Sequence, residues 1–199
     1  SGFRPGHSCA TALIKLTDDW RVALDQGKEV GAVAIDLSKA FDSICHNLLL
    51  AKLKVYGLRD SALQLMRSYL EDRKQRVKCN GTISDWQPLR CGVPQGSTLG
   101  PLLFNIFMND INHTVNNSSL RIYADDTTQY ADDFCPAVLQ YTLNQDIMVL
   151  SGWFNDNFLQ INGPKTQAMI LGKSNYNYDL RIVNSTIKIE DNLKILGVT

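Results

Sequence analysis

The sequence predicts an α+β fold, with helices on one face of a largely antiparallel sheet. Three observations predict it. Segments with apolar residues at helical spacing alternate with short runs rich in valine, isoleucine and alanine. Turn signals such as Asn80-Gly81 fold neighbouring strands back on one another. No low-complexity linker divides the 199 residues, which fits one domain over 1–199.

Taken in order, residues 7–26 read as a helix with Leu13, Ile14, Trp20, Val22 and Leu24 roughly on one face, ended by Gly27. Val30 to Ile35 is a buried strand that runs into a charge, Asp36. Asn47 is placed to cap a helix over 48–56, and residues 61–70 form another. Residues 76–80 and 82–86 flank the Asn-Gly hairpin turn. Pro101 suits the first turn of a helix continuing over 102–111. Short strands over 120–123 and 127–130 surround Ala124-Asp125-Asp126. The longest helix covers 137–158, with Leu139, Leu143, Ile147, Leu150 and Phe154 at helical spacing. Strands over 166–171, 180–183, 187–189 and 193–198 complete the expectation.

Composition bounds the function. Apolar residues make up 44% of the chain, enough for a real core, and no apolar run is long enough to span a membrane. Twenty basic and twenty acidic residues cancel, so net charge does not by itself point to a nucleic-acid partner. Five cysteines without a CxxC pair argue against zinc and a disulfide framework, and suit an intracellular compartment, cytoplasm or nucleus. The sequence starts at Ser1 and stops within a strand-like run, which reads as a fragment of a longer polypeptide.

The chemistry lies in carboxylates at strand ends. Asp36 ends one apolar strand, and Asp125-Asp126 follow another that turns straight back. Such groups, unpaired by nearby basic residues, repel one another, and a divalent cation relieves the repulsion. Mg²⁺ takes hard oxygen ligands and keeps room for substrate phosphates. Two such ions about 4 Å apart serve phosphoryl transfer. An isolated Asp-Asp pair would be no more than turn acids, so the surroundings decide.

Those surroundings resemble a reverse transcriptase. Ala34 to Asp42 (AIDLSKAFD) is similar to the first polymerase motif, Gly92 to Phe104 (GVPQGSTLGPLLF) to the second, and Tyr123 to Asp126 (YADD) to the third. The long second motif, followed by Asn109-Asp110, resembles the non-LTR (LINE-type) retrotransposon or group II intron style. Residues 2–8, 159–169 and 193–199 resemble the flanking motifs, so the likeness covers nearly the whole chain. It implies a right-hand polymerase palm with part of the fingers, and places fingertip segments before Gly2 and the thumb beyond Thr199.

The resemblance also implies roles. Asp36, Asp125 and Asp126 would be catalytic and, with Leu37, would hold two Mg²⁺ ions, for which Mn²⁺ is a substitute. The turn Leu37, Ser38, Lys39, Ala40 and Phe41 would present backbone N–H groups to the triphosphate of a dNTP, with Phe41 under the sugar as a gate against ribose. Pro94, Gln95 and Gly96 would meet the template base and nucleotide, and Lys165 the leaving pyrophosphate. Read from charge alone, apart from the resemblance, Arg4 is expected to contact phosphate or template, and Arg73 opens a basic hairpin entry with Lys74, Arg76 and Lys78 that is expected to follow a nucleic-acid backbone. The partners are an RNA template and a DNA primer.

YADD occurs twice, at 123–126 and 130–133, one hairpin strand apart. The first is assigned to catalysis because it lies in the turn. Asp132 and Asp133 are expected to cap the next helix or face solvent. The rival readings are a group II intron-type enzyme with the same motifs, and a catalytically silent nucleic-acid-binding remnant, against which the three intact aspartates speak.

Overall fold

A computed structural model of the chain describes residue 6 and residues 8–183, 185–196 and 198. Arg4, expected to contact phosphate, lies outside the described residues. In chain order the elements are α1 (Cys9–Asp25), β1 (Glu29–Ile35), β2 (Leu37–Ser38), α2 (His46–Val55), α3 (Asp60–Leu70), β3 (Lys74–Gln75), β4 (Lys78–Cys79), β5 (Thr82–Ile83), β6 (Gln87–Pro88) and α4 (Leu99–Met108). There follow β7 (Ser119–Tyr123), β8 (Asp126–Asp133), α5 (Pro136–Asp156), β9 (Gln160–Ile161), β10 (Gln167–Leu171), β11 (Arg181–Ile182), β12 (Ser185–Thr186) and β13 (Lys188–Ile189). They fall into two compact units, Ser1–Ser38 with Asn109–Thr199, and Lys39–Met108. Among the described residues no helix is long and apolar enough to cross a membrane.

The first unit is built on a five-stranded sheet in the order β13-β10-β1-β8-β7. All its pairings are antiparallel except β10 with β13. Helices cover both faces rather than the single face expected. Val30, Ala32 and Tyr130 pack with Leu16, Trp20 and Ala23 of α1. Gly31, which alternation puts on the other face, looks into Leu139 and Leu143 of α5. A Cβ on Gly31 would lie 2.5 Å from Leu143 Cδ1, so the close seating of α5 requires glycine there. Two-sided burial explains why β1 is apolar almost throughout instead of alternating.

The second unit packs α2 against α3 and α4 around Ile44, Leu49, Leu53, Leu70, Leu103, Phe104 and Phe107, all buried. Its hairpin carries two short ladders, β3 with β6 and β4 with β5, joined through Asn80 (φ 48°) and Gly81 (φ 85°), the left-handed pair that an Asn-Gly hairpin turn demands.

Several boundaries moved for local reasons. Helix α1 starts at Cys9 because Ser8 and Thr11 form a reciprocal capping box. Helix α2 starts at His46, not after Asn47: His46 is buried and its Nε2–H donates to the Gly92 carbonyl, 2.8 Å away, drawing the first turn back. Helix α4 starts at Leu99 because the Ser97 hydroxyl accepts from the Gly100 N–H at 2.9 Å. The strand expected over 193–198 is only a bridge between Ile195 and Val198. Leu193 and Ile195 turn into the α1 core instead of extending the sheet.

Candidate active site

Strand β1 delivers the first carboxylate. Its register on β8 pairs Ile35 with Thr127. Asp36 follows that last pair directly, as Asp126 precedes it, and the charge of Asp36 acts on the Asp126 carboxyl. Asp126 is itself paired with Tyr123 across the two-residue turn Ala124-Asp125. Ala124 occupies the left-handed region there (φ 55°), at a cost on the order of 1 kcal/mol for a residue with a Cβ. That reversal puts Asp125 at the exposed tip, with Asp126 beside it.

The electrostatics follow from this placement. Among the described residues no basic side chain pairs with Asp36, Asp125 or Asp126. The Asp126 carboxyl is raised above the ordinary aspartate value, first by partial burial, then by the charges of Asp125 and Asp36. The residue itself is exposed, so the carboxyl stays open to solvent. Three neighbouring carboxylates without a protein cation among the described residues fit the hard-oxygen donor set of a divalent ion. They are neighbours and not a closed ligand set: among the described residues no three His, Cys, Asp or Glu groups are already gathered tightly enough to hold an ion.

The segment 160–166 fixes the backbone of Asp36, a function the sequence reading missed. Ile161 and Gln160 pair with Leu37 and Ser38. The Asn162 N–H donates to the Asp36 carbonyl at 2.8 Å. The Asp36 N–H donates to the Thr166 hydroxyl at 3.3 Å, and that buried hydroxyl donates to the Asn162 carbonyl at 3.0 Å. Asp36 is thus clamped on both sides of its peptide. Lys165 is exposed at the end of the tight turn Gly163–Lys165 inside this clamp. The Asn-Gly-Pro-Lys-Thr run signals a turn, but nothing in it tells which strand the turn seizes.

The second YADD lies at the other end of the same strand. Asp132 and Asp133 pair in register with Val30 and Glu29, at the start of β1. Six residue steps along the strand lead from Asp126 to Asp132, roughly 20 Å at the usual rise. Asp132 does not cap the helix; it forms an ion pair with Lys28 at 2.7 Å. Asp133 accepts from the Cys135 N–H at 2.7 Å, tying down the lead-in to α5.

In the second unit, Lys39 takes a left-handed turn (φ 50°) and leads into the tight helical turn Ala40–Asp42. Phe41 is half-buried, its ring stacked on Phe104 at 4.1 Å and 17°. Gly92 (φ 85°) runs against the Asp42 backbone, where a Cβ would meet the Asp42 carbonyl oxygen at 2.8 Å. The loop it opens carries half-buried Pro94 and exposed Gln95 and Gly96. The Gln95 amide donates to Asp42 Oδ1 at 2.8 Å, which fixes the loop tip. Arg73 donates to the Gly92 carbonyl at 3.3 Å, so it braces this loop from the hairpin base.

Comparison with known proteins gives a consistent result. The family model described as reverse transcriptase (RNA-dependent DNA polymerase) matches residues 1–199. The probable RNA-directed DNA polymerase from transposon BS of Drosophila melanogaster is 33% identical over 178 residues, 83% of this chain and 19% of that protein. The RNA-directed DNA polymerase from mobile element jockey of the same species is 30% identical over 172 residues, covering 82% and 19%. The chain therefore spans about a fifth of the length of these curated relatives. A telomerase from Candida albicans, solved with a fragment of telomeric RNA, shares the fold at a TM-score of 0.60 and 14% identity, covering 96% of this chain and 34% of that one.

Proposed function

The chain belongs to the reverse transcriptase (RNA-dependent DNA polymerase) family, with relatives among non-LTR retrotransposon enzymes, and from there we propose that it carries the nucleotidyl-transfer site of an RNA-directed DNA polymerase. The observation that carries this reading is the pairing of Ile35 with Thr127, which leaves Asp36 and Asp126 on adjoining strands at the same end of the ladder, beside Asp125, with no protein cation paired to them among the described residues.

In the reaction a primer 3′-hydroxyl attacks the α-phosphate of a dNTP and pyrophosphate leaves. Asp36, Asp125 and Asp126, with the Leu37 carbonyl, are the residues that would hold Mg²⁺. When bound, Mg²⁺ supplies positive charge to the attacking and leaving oxygens. The clamp from Asn162 and Thr166 holds the Asp36 backbone still, which matters because small misplacements of reacting groups cost rate heavily. Residues 37–41 offer backbone N–H groups to the triphosphate. Phe41, its ring stacked on Phe104, is the gate under the sugar: a ring braced from behind excludes a 2′-hydroxyl better than a merely apolar pocket, which rejects an added hydroxyl only about 100-fold. Lys165 meets the leaving charge, Pro94, Gln95 and Gly96 the template and nucleotide, and an RNA template and DNA primer are the partners.

The test is primer extension on an RNA template with Mg²⁺, by the polypeptide that carries this chain. Extension with dNTPs that fails in Asp36→Asn supports the reading. Phe41→Ala should keep dNTP incorporation within an order of magnitude and raise rNTP incorporation sharply. Tight binding of an RNA–DNA hybrid without any extension would favour the silent binding remnant.

A further inference from the structure

The hairpin between α3 and α4 is the most exposed structure in the second unit. Every residue of 74–88 is exposed, including Val77, Ile83 and Trp86. A two-stranded ribbon packed on nothing is marginally stable in water, and this one keeps a large aromatic and two branched apolar residues in solvent. It also concentrates charge. Residues 73–90 hold five basic side chains, Arg73, Lys74, Arg76, Lys78 and Arg90, and a single acid, Asp85, in a chain whose net charge is zero.

The ribbon's geometry sorts these residues. In the inner ladder Lys74 pairs with Pro88 and Gln75 with Gln87; in the outer one Lys78 pairs with Ile83 and Cys79 with Thr82. Between them Arg76 and Val77 oppose Ser84, Asp85 and Trp86, so the return strand carries one extra residue, a β-bulge. The Ser84 hydroxyl fills the break by accepting from the Val77 N–H at 2.9 Å. Bulges re-aim side chains. Here the Trp86 ring lies against the Arg76 guanidinium, 4.6 Å from carbon to ring centroid. Alternation puts Lys74, Arg76 and Lys78 on one face, and Trp86 joins that face through Arg76.

We propose that this ribbon is a docking platform for single-stranded nucleic acid, in which an unpaired base stacks on Trp86 while Lys74, Arg76 and Lys78 follow the phosphates. The inference rests on the polymerase reading above for its choice of partner. A row of cations beside one exposed aromatic is the combination that binds single strands without sequence preference. An uncharged protein surface would leave the row of like charges unanswered, and an acidic one would give Trp86 no base to stack on. The shared chemistry is an unpaired base with a phosphodiester on each side, which RNA and DNA strands both offer.

The test is equilibrium binding of the full chain to a fluorescent unstructured RNA, to the DNA strand of the same sequence, and to a blunt duplex, across a salt series. Trp86→Ala should weaken single-strand binding about 5- to 100-fold, the range for losing one stacked base, and leave duplex binding within about 2-fold. Trp86→Phe should restore most of the affinity. Lys74→Gln with Lys78→Gln should flatten the dependence of log affinity on log salt by about 0.7 per lost single-strand phosphate contact. Of the two sugars, the ribbon holds the one whose affinity Trp86→Ala lowers more. An unchanged single-strand affinity in a Trp86→Ala chain of wild-type thermal stability overturns the proposal, as does an equal loss on the duplex. Primer extension in the same proteins separates the two readings. If Asp125→Ala stops extension while Trp86→Ala binds single strands like the wild type, only the ribbon inference falls.

Discussion

The same four residues, Tyr-Ala-Asp-Asp, stand at both ends of β8, and the two ends have opposite environments. At 123–126 the alanine is forced into a left-handed turn and the aspartates have no protein cation among the described residues, with Asp126 raised by burial and by its neighbours. At 130–133 the alanine sits within the strand and both aspartates are satisfied, Asp132 by Lys28 and Asp133 by the Cys135 N–H. The tyrosines differ too. Tyr130 is buried and its hydroxyl donates to Asp19 at 2.6 Å. The Tyr123 phenol is raised by its hydrogen bond with Cys9. A tetrapeptide therefore does not define a site. What defines it is the strand end on which it falls, and which other carboxylate the register brings to that end.

The largest expected effect tests that comparison directly. Asp125→Ala should reduce primer extension below detection, and Asp133→Ala should leave it within about 3-fold, since surface changes away from special features rarely disturb a fold by much. Equal losses from both would mean that the far end of β8 also serves catalysis, or that its hold on the lead-in to α5 is essential to the fold. Circular dichroism on the two proteins decides between those outcomes.

How much of this was legible beforehand depends on the range of each interaction. The carboxylates were visible because apolar strands running into Asp36 and Asp125 are local patterns. The Asn80-Gly81 turn was visible for the same reason. The pairing of Ile35 with Thr127 was not, because register between strands far apart in sequence is decided by tertiary packing. The clamp on Asp36 from Asn162 and Thr166 was hidden because it acts through backbone groups, which every residue carries. The one-faced sheet was expected although Val-Gly-Ala-Val-Ala-Ile argued against it. A strand apolar at successive positions is covered on both sides, and here α1 and α5 cover it.

The strand pair sets the distance between its two ends, and at Gly31 helix α5 seats closely against it. Gly31→Val would push branched carbons into Leu143 and Ile170. Overpacking of this kind costs about 1–3 kcal/mol, which for a domain of this size lowers Tm by roughly 2–12 °C. Thermal melts check it. A neutral result would show that α5 is free to move away from the sheet, and that the strand ends are less rigidly fixed than their register implies.

A smaller effect concerns Glu29, at the far end of β1 opposite Asp133. It is buried, and burial alone would raise its carboxyl. The Ser174 and Tyr178 hydrogen bonds, with the Ser174 and Lys173 backbone, outweigh burial and hold it below the ordinary glutamate value of 4.5. A depressed native value means the folded state favours the ionised form. The stabilisation is therefore complete above the unfolded value and is lost as pH falls through the native one. Glu29→Gln should cost about 1–2 kcal/mol at neutral pH, the scale of hydrogen bonds to a charged acceptor. The gap from wild type should narrow as pH drops below 4.5. Denaturant melts at both pH values check it; a gap that widens in acid would reverse the assigned sign.

The smallest effect is the ion pair that distinguishes the second motif. Lys28 and Asp132 meet at 2.7 Å, with side chains 27% and 36% exposed. Pairs in such contact with water contribute about 0–1 kcal/mol, because solvent weakens the attraction and two side chains lose freedom. Asp132→Ala should therefore lower stability by no more than about 1 kcal/mol in dilute buffer. At 1 M salt, where the screening length falls to about 3 Å, the difference should nearly vanish. Extension activity should survive, because the carboxylate lies a strand's length from Asp126. A salt-insensitive loss of several kcal/mol would mean that Asp132 holds the end of the sheet through more than its charge. The contrast between the ends of β8 would then be one of two structural demands, with only the first also chemical.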